Sequence, residues 1–311
     1  MVTGSGKLRG AGFGAGSLRL AATALLAALA GCRPPPCEPT RAAWPPAPIE
    51  PATAGVTPSR DTRDLSAALS AALSDRNRDR AHGLIDPYAA RIRAREPLDR
   101  QLARFAVTGP RATPSLYPDE PSRLAYWANA RAGWALKLAL AADMPDALPP
   151  AALERRGFRL DGRMMTLEAI DAELAAFGWL AVAAAPGVRL QRARLPEAPF
   201  TPDDVRRRLA ERLDVFIADE RRIVADPVAR RLSFPPVLWA CREDLLSACR
   251  QADGTDDGDA PGGSGGAPRT TFITALLRHT RRRGHYRLQD MLGYTPTAAE
   301  PSRTLAVAHW P

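Results

Sequence analysis

Residues 122–140 read SRLAYWANARAGWALKLAL, and the reading of this stretch decides the fold. Leu124, Trp127, Trp134 and Leu138 are spaced by three, seven and four, which places them on one stripe of an α-helix with Ala128 and Ala135 in the gaps. A helix with two tryptophans on its inner stripe is expected at the buried centre of a mainly helical domain. Asp119 and Ser122 are both candidate N-caps, Pro121 suits a first turn, and Pro145 after Asp143-Met144 stops any continuation.

On the N-terminal side, Thr62 to His82 sets Leu65, Leu69, Ala72 and Leu73 at helical spacing, with Asp61 or Thr62 as cap. Pro87 to Phe105 reads as a more polar helix, or a pair interrupted at Pro97, before a loop from Thr108 to Pro118. On the C-terminal side, Gly157 to Met165 alternates apolar and polar residues around Asp161-Gly162, a strong hairpin signal. Thr166 caps a short helix with Glu168 in its first turn, and the apolar run from Trp179 to Ala185 reads as a buried strand ended by Pro186-Gly187. Thr201-Pro202-Asp203-Asp204 opens a helix whose inner stripe is Leu209, Leu213, Phe216 and Ile217, with Arg206 to Arg208 and Arg221-Arg222 on its outer side. Leu232 to Phe234 is a short strand, Pro236 to Cys249 a helix, Asp253 to Pro268 a flexible Gly- and Asp-rich insertion, and Thr270 to Arg283 a last helix. The expected fold is α+β: a mainly helical single domain over residues 61–311 with a small antiparallel sheet.

Residues 1–31 carry three cations and no acid, then an apolar run from Leu20 to Ala30 broken only by Thr23. At 11 residues this run is shorter than the roughly 20 that span a bilayer, and the layout is that of a secretory signal peptide. It ends in Leu29-Ala30-Gly31-Cys32, which resembles a bacterial lipobox. The resemblance implies that Cys32 is lipidated and becomes the mature N-terminus; a simply cleaved signal or an uncleaved anchor are the alternatives. Several acyl chains anchor firmly where one does not. The expected place is therefore the bacterial cell envelope, with Arg33 after the cysteine compatible with an outer membrane, facing periplasm or cell surface, rather than an inner one. Residues 32–60 are dense in proline and without periodicity, as in an extended tether.

Only Lys7 and Lys137 are lysines among 43 basic residues, a pattern of genome composition rather than of arginine chemistry. The formal charge is +9, three of it from Lys7, Arg9 and Arg19. Such a charge suits anionic lipid or an anionic envelope polymer. The arginines are scattered among acids with few aromatics between them, so nucleic acid is not an expected partner.

Tyr126-Trp127-Ala128-Asn129-Ala130-Arg131-Ala132-Gly133 partly fits F-W-I-N-x-Y-N-A, and Gly157 to Ile170 fits a glycine hairpin followed by a leucine-led acidic helix. Leu232-Ser233, Trp239 and Asp244-Leu245 fit L-S-x-I-F-x-W-Y-x-x-D-F, and Ala308-His309-Trp310 falls where Y-D-W would end the domain. In these motifs the chain resembles the domain of unknown function 547, a family found in secreted bacterial proteins and in plants, over roughly residues 60–311. The family's H-F-A-L-N-C and S-C-P elements suggest a thiol mechanism. Aligned here, Trp179 stands at the histidine and Ala184 at the cysteine, and Gly187 to Leu195 has no cysteine, so the resemblance carries no thiol chemistry to these positions.

The candidate ligand-binding residues are Asn129, Trp127, Trp239, Asp244 and His309. Asn129 either meets a ligand or is a buried amide bonding a loop backbone, and the second reading is preferred because buried polar groups must be paired. The tryptophans lie at core spacing, and Glu243 and Asp244, adjacent on a helix, point apart. Cys241 and Cys249 could bridge only if their helix ended near Leu246, and with Cys37 one thiol at least stays unpaired. His279 and His285, the closest histidines, are six apart, which is not a metal spacing, and there is no phosphate loop, G-x-S-x-G or H-E-x-x-H. No cofactor is implied. The Arg278 to Arg283 run reads as a solvated helix end, with contact to anionic lipid or polymer as the alternative. The functional expectation is a lipid-anchored envelope protein that binds or builds rather than catalyses; the alternative is an envelope hydrolase or transferase with an active site around Asn129, Trp239, Asp244 and His309.

Overall fold

Asp119 opens the element on which the fold is built. In the computed structural model, which describes residues 47–73, 84–144, 149–253 and 271–308, the central helix runs from Glu120 to Ala141. The Asp119 carboxylate accepts the Ser122 N–H at 2.8 Å, while the Ser122 hydroxyl donates back to the Asp119 carbonyl, so Asp119 is the N-cap. The helix ends before Pro145 is reached: Asp143 and Met144 both take positive φ, and the Met144 N–H returns to the Ala139 carbonyl at 2.8 Å. Its middle is buried on every side, as expected of a helix apolar all round. The signal peptide, Cys32, Cys37, His82, His309-Trp310 and nearly all of the 253–268 insertion lie outside the described residues.

Packed on that helix are α1 (Arg63–Ala72) and α2 (Arg95–Val107), so the central helix is α3. They close in at Gly133, where an added Cβ would sit 3.3 Å from Leu102 and 3.5 Å from Leu65. Pro97 does not break α2: it lies in the first turn, after a π-helical turn at Ala90–Ala94. The hairpin is β1 (Phe158–Leu160) against β2 (Arg163–Met165), with Asp161 and Gly162 both at positive φ as a type I′ turn demands. The Asp161 and Gly162 N–H groups bond the last carbonyls of α2, at Phe105 and Ala106, and the Asp161 carboxylate gathers the N–H groups of Arg111 and Ala112. Phe158 stacks on Trp134 of α3 at 4.0 Å between ring centroids. Ile49 pairs with β1, donating to the Gly157 carbonyl and accepting from Arg159, so residues 47–60 lie along the domain instead of continuing the tether.

Next come α4 (Leu167–Ala175), capped by Thr166 through Ala169 N–H, and α5 (Trp179–Ala183). The α5 segment corrects the expected strand. A short apolar run fits either period, and Gly178 at φ +94 starts a turn whose carbonyl takes the Ala181 N–H. Then follows α6 (Val205–Ala218), preceded by a turn over residues 201–204 in which the Asp204 carboxylate accepts Thr201 N–H and the Thr201 carbonyl accepts Val205 N–H. A second, mixed sheet orders β3 (Val224–Asp226), β4 (Arg231–Phe234) and β5 (Thr295–Ala298), β3 antiparallel and β5 parallel to β4. The expected helix from Pro236 is broken at Cys241 into α7 (Pro236–Ala240) and α8 (Arg242–Ala252). The expected last helix stops at His279 as α9 (Phe272–His279), and α10 (Arg282–Asp290) follows. The architecture is α+β and mainly helical, as expected, with a mixed sheet beside the antiparallel hairpin.

Candidate functional site

The loop 186–195 carries Arg189, Arg192 and Arg194 and is fixed from both sides. Gly187 N–H bonds the Ala193 carbonyl at 2.8 Å, a crossing so tight that a Cβ on Gly187 would meet the Arg192 Cβ at 2.7 Å. The C-terminal segment clamps the outside, with Leu190 N–H on the Thr304 carbonyl and Ala306 N–H on that of Val188.

Arg131 of α3 reaches the inside of this loop. It is 1% exposed and in line with Trp127, Trp134 and Leu138, at the centre of the apolar stripe. Its Nε donates to Asp171 Oδ1 at 2.5 Å, Nη2 to Asp171 Oδ2 at 3.1 Å and Glu154 Oε2 at 3.4 Å, and Nη1 to the Pro186 carbonyl at 2.7 Å. Arg192 donates to the same Asp171 at 2.7 Å, and Arg189 is held by the carbonyls of Ser302 and Pro149. Burial alone would raise the Asp171 carboxyl, but Arg131 and Arg192 outweigh it and hold the group below its ordinary range. Burial pulls Arg189 down.

Three guanidiniums thus face two carboxylates, Glu154 and Asp171. The cluster borders a cavity of about 280 Å³ walled by Glu154, Arg189, Gln191, Arg192, Val237 and Ser302, and Arg192 Nη1, sealed from solvent, has no partner among the described residues. A guanidinium at working pH only donates hydrogen bonds. The chemistry on offer is therefore recognition of an anionic group rather than proton transfer.

The residues named from the sequence are dispersed. Trp127 lines an open cavity of about 560 Å³ with Asp161 and Arg163. Asn129 lies at a separate cleft of about 120 Å³, and both ends of its amide are bonded to backbone: Nδ2 donates to the Phe200 carbonyl at 2.9 Å and Oδ1 accepts Phe200 N–H at 2.8 Å. Trp239 packs edge-on to Phe272 with Arg242 over its face at 4.9 Å. Asp244 is exposed in the first turn of α8, and His309 lies outside the described residues. The cavities at Trp127 and Asn129 are different ones, and neither is walled by Trp239 or Asp244.

The structure also brings together a pair that spacing could not reveal. Cys249 Sγ lies 3.9 Å from His279 Nε2, and the His279 ring stands edge-on to Trp179 at 4.9 Å. Burial, then Arg278, lowers the His279 pKa, which favours the neutral imidazole. Cys249 is 2% exposed; Cys241, likewise buried and unbridged, has its thiol pushed up to about 11 by desolvation. Arg222, read as an outer-side residue of the preceding helix, is in fact buried beyond its end, bonding Asp219 and the carbonyls of Leu190 and Arg192.

No family model matches the sequence, and neither a curated protein nor a solved structure matches it. Among the described residues no helix is long and apolar enough to cross a membrane.

Proposed function

We propose that this chain is a lipid-anchored protein of the bacterial envelope whose domain binds an anionic partner and does not catalyse. The binding half is carried by one observation: the Arg131, Arg189 and Arg192 cluster holds one cation more than its two carboxylates and borders a cavity at Arg192. The location half is supported by Leu29-Ala30-Gly31-Cys32 behind a short apolar run, and the outer membrane is part of the proposal. A distant relation to the domain of unknown function 547 belongs to the same reading; it is supported by the Asp161-Gly162 hairpin followed directly by the Thr166-capped helix, in the order of the family's second motif.

Intact mass and membrane fractionation of the native protein beside Cys32→Ser test the location. A mass gain of the size of a diacylglycerol, with release on substitution, is expected; an unmodified chain that fractionates identically in both forms sinks it.

A second reading, an envelope hydrolase or transferase, draws on the Cys249–His279 contact. A nucleophile must be reachable, and Cys249 is 2% exposed. Iodoacetamide labelling of the native chain separates the two: Cys249 is expected to react far more slowly than after unfolding, and labelling at the rate of a free thiol would restore the enzyme reading.

A further inference from the structure

On α6, the half-buried Arg212 is placed in a different way from Arg131. Its Nε and Nη2 are sealed from solvent and have no hydrogen-bond partner among the described residues. Its guanidinium lies over the Phe200 ring at 5.6 Å, with Arg208 over the same ring at 4.7 Å. The neighbouring cations have carboxylates of their own: Arg208 has Asp204 at 3.4 Å, Arg194 has Glu197 at 4.0 Å, and Arg222 has Asp219 at 2.8 Å. Arg212 has none. Desolvation, then the like charges of Arg194, Arg208 and Arg222, push it down to about 9, far below any ordinary arginine.

Arg212 forms part of the wall of a cavity of about 410 Å³, shared with Arg194, Arg221, Arg222 and Arg283. Three carboxylates stand on the same wall, two of them occupied: Asp219 by Arg221 and Arg222, and Asp214 by the Arg281 N–H at 2.7 Å. The third, Glu220, is exposed. Five guanidiniums stand on this wall against three carboxylates, and with Glu197 answering Arg194 one positive charge is left over.

We propose that the Arg212 cavity is a phosphate-binding site, taking a phosphate mono- or diester. The proposal deepens the anionic-partner reading and rests on it for where the ligand comes from, not for whether the site binds. The argument for phosphate is geometric. The Nε/Nη2 edge of a guanidinium offers two parallel N–H groups to two oxygens, the edge that Arg131 gives to Asp171. A carboxylate would spend both oxygens on that edge. A phosphate keeps a further oxygen for Arg283 and matches a wall with a surplus positive charge. Turning the Arg212 edge toward the cavity exchanges its contact with Phe200 for charge-assisted bonds.

The test uses the full chain in detergent, titrated with inorganic phosphate at constant ionic strength and compared with acetate. Phosphate is expected to raise the melting temperature where acetate does not, and Arg212→Gln to weaken phosphate binding by about tenfold or more, the equivalent of one lost charge-assisted bond. Arg283→Ser, at an exposed position, provides a second variant that keeps the fold and is expected to weaken binding by a smaller factor.

Sedimentation of the Cys32→Ser chain with phosphatidylglycerol vesicles, against phosphatidylcholine vesicles, identifies the source. Arg212-dependent pelleting assigns a lipid headgroup, and phosphate binding without pelleting assigns a soluble or polymer phosphate. Equal responses to phosphate and acetate, or phosphate binding unchanged in Arg212→Gln, overturn the site. Should Cys32→Ser leave fractionation unchanged while phosphate binding persists, the envelope location fails and this site stands.

Discussion

Arg131 and Arg212 present the same edge to opposite circumstances. Each lies in line with an apolar stripe, Arg131 between Trp127 and Trp134, Arg212 between Leu209 and Phe216. Arg131 gives Nε and Nη2 to Asp171 and further bonds to Glu154 and Pro186, whereas the same two nitrogens of Arg212 meet no acceptor among the described residues. Taking a guanidinium out of water is costly, and only a close, fully bonded partner offsets it. The paired arginine therefore belongs to the architecture, where it ties α3 to α4 and to the loop 186–195. The unpaired one carries an uncompensated cost, which an anion from outside the chain would relieve.

The largest expected effect comes from unpairing Arg131. Asp171→Ala leaves Arg131 and Arg192 facing each other with only Glu154 between them, and urea denaturation is expected to read a loss of about 3–5 kcal/mol. Asp171→Asn keeps the shape and part of the bonding, so it should fall between the two. If Asp171→Ala cost no more than a surface substitution, the distinction between paired and unpaired arginines would have no energetic content.

Asn129 extends the comparison to a neutral group. Both ends of its amide are bonded to the Phe200 backbone, so Asn129→Leu strands a buried N–H and carbonyl and is expected to cost about 2–3 kcal/mol by the same denaturation. A ligand-binding role would predict the reverse pattern, little change in stability and lost binding.

How far the sequence carried the reading follows from the range of the interactions involved. The α3 periodicity and the Asp161-Gly162 turn are local, and both elements appear where they were expected. The strand β5 is not local: it contains Pro296 and pairs in parallel with a strand more than sixty residues earlier. The Trp179–Ala183 segment is too short for its period to decide, and Cys249 meets His279 across thirty residues. The arginines left a signal that went unused. A charge inside an apolar stripe must be buried with its partner or without one, and its position alone marks it; which of the two holds depends on Asp171 and Glu154, 40 and 23 residues away.

Acid titration separates the paired groups next. Desolvation would raise Asp219, but Arg221 and Arg222 hold it down to about 2 against an ordinary 3.8. A folded-state pKa below the unfolded one means the stabilisation is complete above pH 3.8 and is lost as pH falls toward 2. The amount is up to about 2 kcal/mol, and Asp171, also lowered, adds in the same direction. Comparing stability at pH 6 and pH 3 in the native chain and in Asp219→Asn should show a shallower pH dependence in the variant. Equal slopes would mean that Arg221 and Arg222 do not hold this carboxylate in solution.

The smallest effect is also the one of opposite sign. Arg212→Met removes a buried cation that has no carboxylate and keeps the side-chain volume over Phe200, so in phosphate-free buffer it is expected to raise stability by about 1 kcal/mol. Arg131→Met, an identical chemical change, strands Asp171 and Glu154 and should lower it. Urea midpoints of the two variants in one buffer therefore move in opposite directions if the comparison is sound. Adding phosphate should narrow the gain from Arg212→Met, because ligand binding stabilises only the chain that still carries the arginine. A midpoint for Arg212→Met below that of the native chain in phosphate-free buffer would mean that this guanidinium has a partner within the fold, and the two arginines would then be one kind of residue.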